Sequence, residues 1–166
     1  MQGGRLLENL NLIEGFPVVD TNGGKTGDWV SLQNYKRCVI IFAAGAGTGD
    51  SVVTLAQAKD AAGTGSKALT FTTFYSKAAT TDLTATANWT KTTQTAAATA
   101  TIASWAAKSK LCAIEVHAEE LDFANQFYFL NAAISGASAA TLGYVLYLMG
   151  EARYPCAPES MLTAIS

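Results

Sequence analysis

Short runs rich in β-branched and aromatic side chains recur along this chain at roughly 8 to 14 residue intervals, with turn residues between them. The clearest are Cys38-Val-Ile-Ile-Phe42, Leu69 to Tyr75, Leu111 to His117, Phe127 to Ile134 and Leu142 to Met149. Asp28 to Tyr35 and Asn88 to Gln94 have the same character. Each is too short for an amphipathic helix and suits a pleated surface, where Thr, Val, Ile and aromatic side chains pack well. Ser51 to Asp60 matches neither period cleanly. It is read as a strand because Gly45 to Gly49 before it and Gly63 and Gly65 after it leave room for little else. A short helix is expected around Ile102 to Ala107, and a single helical turn or loop at Ala118 to Asp122. Strands without alternating helices predict an all-β fold, a single β-sandwich or jelly-roll/barrel-like domain with extended N- and C-terminal arms.

The chain has 166 residues, the size of one domain with one core. Residues 27–150 are assigned to the sandwich, 1–26 to an N-terminal arm and 151–166 to a C-terminal arm. The first arm holds Gly and Asn clusters and Pro17, and its apolar residues show no sustained period. The second holds Pro155 and Pro158, which cannot join a central strand. Charged residues are 14% of the chain, against about 25% in ordinary soluble domains. With a net charge of −2 such a surface repels its neighbours weakly, which favours permanent packing in an assembly.

The same balance argues against nucleic acid as a partner, because no basic stripe is present to displace counterions from phosphates. The apolar run Leu142 to Met149 is far below the roughly 20 residues of a membrane helix, and the N-terminus carries no signal-like apolar run, so neither membrane insertion nor export is expected. Cys38, Cys112 and Cys156 are widely spaced, with no paired motif and one histidine in the chain; they read as free thiols, the first two as small buried hydrophobes.

Candidate chemistry is sparse. Val39 to Phe42 leading into Gly45-Ala-Gly-Thr-Gly49 suggests a dinucleotide turn, but the glycine spacing is wrong and no Gly-Lys-Ser/Thr follows, so it is read as a turn between strands. His117 lies in Glu115-Val-His-Ala-Glu-Glu-Leu-Asp122, where a strand would point Glu115 and His117 the same way. A metal or acid–base pair is conceivable there, although one histidine among carboxylates at a strand end is more often a solvated edge. Asn88-Trp-Thr90 matches a glycosylation sequon by chance. Trp29, Trp89, Trp105, Tyr144 and Tyr147 could line a sugar-binding face, with packing the commoner use of such residues. No catalytic, cofactor-binding or metal-ligating residue is assigned, and no cofactor is expected.

Three stretches resemble small head-assembly proteins of tailed bacteriophages: Glu14 to Asp20 with Gly27 to Tyr35, Val53 to Phe71, and Tyr144 to Tyr147 with Glu151 to Glu159. The resemblance covers nearly half of the chain in order and spacing, and carries no catalytic signature. It implies a non-enzymatic virion protein, a capsid decoration or cement protein made in the host bacterial cytoplasm, with the major capsid protein as partner. It also implies self-association as a homo-oligomer, a trimer being the form suited to a threefold axis. Extended arms would suit cement that spans subunits. The candidate partner-binding residues are therefore Leu12, Ile13, Phe16 and Pro17 in one arm and Arg153, Tyr154, Pro155 and Pro158 in the other. The alternative is that both ends cover the module's own sheet edges. A tail or neck component and a carbohydrate-binding sandwich are the competing functional readings.

Overall fold

The computed structural model describes residues 9–47, 49–78, 88–102, 109–135 and 140–153. In chain order the strands are β1 (Leu10–Asp20), β2 (Lys25–Thr26), β3 (Val30–Ser31), β4 (Tyr35–Ala44), β5 (Ser51–Ala58), β6 (Lys67–Ala68), β7 (Phe71–Ala78), β8 (Thr90–Ala97), β9 (Thr99–Ile102), β10 (Lys110–His117), β11 (Phe129–Ser135) and β12 (Leu142–Ala152). Two single 3-10 turns, Ala118–Glu120 and Phe123–Asn125, lie between β10 and β11. Sheet A has the order β1-β12-β4-β10-β7-β8. Sheet B has β2-β11-β5-β6, with β3 also on β11 and β9 also on β5. Every pairing is antiparallel. The protein is a β-sandwich, as the strand pattern predicts.

Alternation builds the core. Cys38, Ile40 and Phe42 of β4, Cys112, Ile114 and Val116 of β10, and Val145, Tyr147 and Met149 of β12 turn to one side of sheet A. Against them sheet B sets Val53 and Leu55 of β5 and Leu130, Ala132 and Ile134 of β11. Tyr147 ties the two layers together. Its hydroxyl donates to the Asp28 carbonyl at 3.1 Å and accepts the Ala132 N–H at 3.0 Å, so the buried phenol has both partners it needs. Two glycines make room for it: a Cβ on Gly15 would stand 2.7 Å from the Tyr147 ring, and one on Gly27 2.8 Å from its oxygen.

Leu10 to Asp20, assigned to an arm by sequence, is instead an edge strand paired with β12 from Leu10↔Gly150 to Asp20↔Leu142. The physical reason is a pair of register shifts, between Glu14 and Phe16 and between Phe16 and Val19. Each adds a residue, so the core-facing Ile13, Phe16 and Val19 recur every third position and the period of two is erased. Ile13 and Val19 pack on the core and Phe16 is buried in it. β12 also runs past Gly150 to Ala152, two residues into the segment assigned to the C-terminal arm. Asp28 to Tyr35 is not one strand: after Val30–Ser31 a turn at Gln33 and Asn34 intervenes, its Gln33 N–H held by the Ser31 hydroxyl at 3.3 Å. The helix expected at 102–107 begins at Ile102, which closes β9, and its remainder lies outside the described residues.

Both edges of sheet A are irregular. β1 carries Pro17 and its two bulges, and β8 sets three residues against one of β7 between Thr93 and Ala97. Sheet B ends on pieces of two to four residues. Such short or bulged edges resist the addition of a further strand.

Candidate functional site

Residues opposite one another in an antiparallel sheet share a face, so the registers give the outer surface of sheet A row by row. One row runs Leu12, Leu148, Val39, Glu115; the next runs Glu14, Leu146, Ile41, Ala113, Tyr75, Lys91; a third runs Tyr144, Ala43, Leu111, Lys77. The centre of this surface is aliphatic and aromatic, and charge appears only at its margins. Leu12, Val18, Tyr75 and Leu142, four of the five exposed large hydrophobic residues among those described, belong to it. At one end Val18, Ala43, Leu142 and Tyr144 line a shallow, mainly apolar depression of about 230 Å³. Its central side chains Val39, Ile41, Leu146 and Leu148 are half-buried and form an apolar layer rimmed by polar groups.

The opposite end is charged. Arg37 lies between two carboxylates, 3.1 Å from Glu115 and 2.6 Å from Glu151. Glu151 is held in the left-handed region (φ 54°), which presents its side chain to Arg37. His117 Nε2 is 3.8 Å from Glu115, and the His117 N–H donates to Glu120 at 2.7 Å. The Glu115 and Glu120 carboxylates thus have partners within the chain. Among the described residues no group of three His, Cys, Asp or Glu is placed to hold a metal ion. Asp122 points elsewhere, to Lys67 at 2.5 Å and to Asn125 at 2.8 Å, and the Lys67 bond first and the Asn125 bond second hold its carboxyl below the usual value.

The glycine turn at Gly45 to Gly49 leads from β4 directly into the strand β5, so it lacks the helix N-terminus that a dinucleotide site requires. The Gly49 carbonyl accepts a hydrogen bond at 2.7 Å from Lys110, a buried side chain whose ammonium is brought below its ordinary value by desolvation, an effect that the charge of Asp50 opposes in part. Cys38 and Cys112 are buried among apolar neighbours, and burial raises both thiols, Cys112 to about 12, which makes them unreactive at neutral pH. The aromatic residues do not assemble into a platform: Tyr147 is in the core, Trp29 packs on Gly63, Tyr144 lies on the outer face of sheet A and Trp89 is exposed beside β8. Trp105 lies outside the described residues.

The residues proposed from sequence for partner binding are dispersed. Leu12 is exposed on the outer face of sheet A, whereas Ile13 and Phe16 point inwards, and Pro17 is exposed at the bulge. Arg153 follows β12, its N–H bonded to the Asn34 carbonyl at 2.8 Å, and with Lys36, His117 and Glu151 it lines a depression of about 220 Å³ at the charged end. Tyr154, Pro155 and Pro158 lie outside the described residues. The central residues of the patch, Leu146, Ile41 and Leu148, were not singled out. Their signal was present: runs apolar at every position, where a strand with one core-facing side should alternate.

The fold and this patch define a β-sandwich whose differentiated feature is a face and not a pocket. No family model matches the sequence, and no curated protein matches it. Among solved structures, the infectious bursal disease virus Gt strain has a chain of which 44% aligns with 93% of this one, at 13% identity and a TM-score of 0.23. The T=1 particles derived from infectious bursal virus give 12% identity over 93% of this chain and 42% of theirs, with a TM-score of 0.22. This chain spans less than half the length of those it matches.

Proposed function

We propose that this chain is a non-catalytic structural protein of a tailed-phage particle, a capsid decoration or cement protein that lies on the shell of major capsid subunits. The observation that supports this reading is the apolar outer face of sheet A, centred on Leu146 and Ile41. Burying such a surface is worth roughly 25 cal/mol per Å² of apolar area removed from water, so a chain that presents it is stabilised by residence in an assembly. The low overall charge serves the same end, since copies crowded on a shell repel one another little. The resemblance of Glu14 to Asp20, Val53 to Phe71 and Glu151 to Glu159 to head-assembly proteins supplies the kind of assembly.

Mass spectrometry of purified particles tests the reading. The chain should be present at a copy number that scales with the major capsid protein. A small, fixed copy number would move it to the neck or tail, and absence from the particle would sink the proposal.

A further inference from the structure

Resting on that reading only in that the face is buried within an assembly, we propose that its occupant is not a capsid subunit but the same face of a second copy, packed sheet on sheet about a twofold axis. Three observations favour a copy over another partner. The irregular edges of both sheets disfavour association by strand addition, which leaves faces as the available surfaces. The centre of the patch, Leu148, Leu146 and Ile41, carries no formal charge, so its symmetry mate meets no like charge there. Finally, the four strands β1, β12, β4 and β10 span on the order of 500 Å² at standard strand spacing and rise. Two such faces together bury about 1,000 Å², the size at which a specific interface begins.

The charged end fixes the orientation. An axis parallel to the strands lays the row containing Arg37 over its copy, where the carboxylates of Glu115 and Glu151 offer the opposite sign. An axis across the strands would bury that row against Tyr144 and Leu142 and leave desolvated charge without a partner. The parallel arrangement is also the aligned mode of sheet packing.

Sedimentation equilibrium of the full chain tests the pairing. The expected result is a monomer–dimer equilibrium whose dissociation constant rises at least about tenfold in Leu146→Lys, the size of effect expected for a central interface side chain. Leu146→Ala, which adds no charge to be accommodated, should weaken the dimer by a smaller factor with the circular dichroism spectrum unchanged. Thr101→Lys, on the outer face of sheet B, should leave the dimer intact. A wild-type chain that stays monomeric at its highest soluble concentration, or a dimer indifferent to both Leu146 variants, overturns the proposal. The two readings separate cleanly. A monomer that nonetheless occupies particles refutes self-pairing and keeps the virion assignment, with a capsid subunit on the face. A Leu146-dependent dimer absent from particles supports the pairing and refutes the virion assignment.

Discussion

The two outer surfaces of this sandwich are built from the same backbone geometry and finished with different chemistry. On sheet B the outward rows run Thr101, Val52, Ser135, then Thr99, Thr54, Ala133, Thr26, small side chains with hydroxyls among them. On sheet A the matching rows carry Leu148 with Val39 and Leu146 with Ile41. A threonine keeps strand propensity while leaving a hydroxyl for water, so sheet B is finished as a solvated wall. Sheet A is finished as a second interior. The contrast teaches that composition averaged over the whole chain hides a polarity between its two sides.

The largest test of that contrast compares neighbours in one strand. Phe42 points into the core and is almost fully buried, whereas Ile41 points out of sheet A. In urea denaturation at low protein concentration Phe42→Ala should cost about 3–5 kcal/mol. Ile41→Ala should cost about 1 kcal/mol, because its side chain keeps water on one side in the monomer. The difference should narrow as protein concentration rises and the outer face is buried. Equal losses in dilute solution would mean that the outer face is already covered within one chain, and the contrast would fail.

Next in size is the tie between the layers. Tyr147→Phe keeps the ring and removes the oxygen, leaving the buried Ala132 N–H without that acceptor and the Asp28 carbonyl without that donor. The expected loss is about 1–3 kcal/mol, the usual cost of a stranded buried polar group. Gly15→Ala should destabilise as well, since its methyl would meet the same ring, at 2.7 Å. A loss below 0.5 kcal/mol in Tyr147→Phe, read as an unchanged urea midpoint, would show that the sheets are held by apolar packing alone.

Strands such as β10 were legible because one side is core and the other is not: Cys112, Ile114 and Val116 alternate with Leu111, Ala113 and Glu115. The same logic concealed the patch. When β4 and β12 are apolar on both sides, periodicity reports a buried strand and cannot say that only one side belongs to the chain's own core. β1 was lost for a different reason, because its bulges turned a strand period of two into a spacing of three at Ile13, Phe16 and Val19. Bulges depend on what the partner strand offers, here Tyr147, Val145 and Gly143, more than a hundred residues away in sequence. The candidate chemistry was legible chiefly as an expectation: the glycine turn and His117 sit where the strand pattern put them, and the residues around them decide what they do.

A smaller effect sharpens the contrast from sheet B's side. Thr101→Ile places a branched apolar side chain beside Val52 on an exposed edge. Stability should change by less than about 0.5 kcal/mol, as for most surface substitutions. Concentration-dependent light scattering should rise, since the substitution gives the solvated wall the beginnings of the finish that sheet A has. An unchanged scattering profile would show that the patch on sheet A works through its extent and not through single apolar side chains.

The smallest expected effect is in acid, and it belongs to the ends of the sheets and not to their faces. Asp20 is held below the usual 3.8 by the Asn22 N–H and then the Thr141 N–H. Asp60 is held there by its bonds to Thr64 and the turn that follows it. A carboxyl that is harder to protonate folded than unfolded contributes stability in full above the unfolded value. That stability is lost as pH falls from about 3.8 through the lower folded values, because the unfolded chain then binds more protons. Asp20 and Asp60 are exposed and Asp122 is half-buried at the surface, so each effect is small. Asp60→Asn should flatten the acid limb of the stability curve slightly and leave the dimerisation of sheet A untouched at neutral pH, because its loop lies beside β5 and β6. A dimer weakened by Asp60→Asn would mean that the two sides of the sandwich are coupled, and that the apolar face cannot be treated as a surface acting alone.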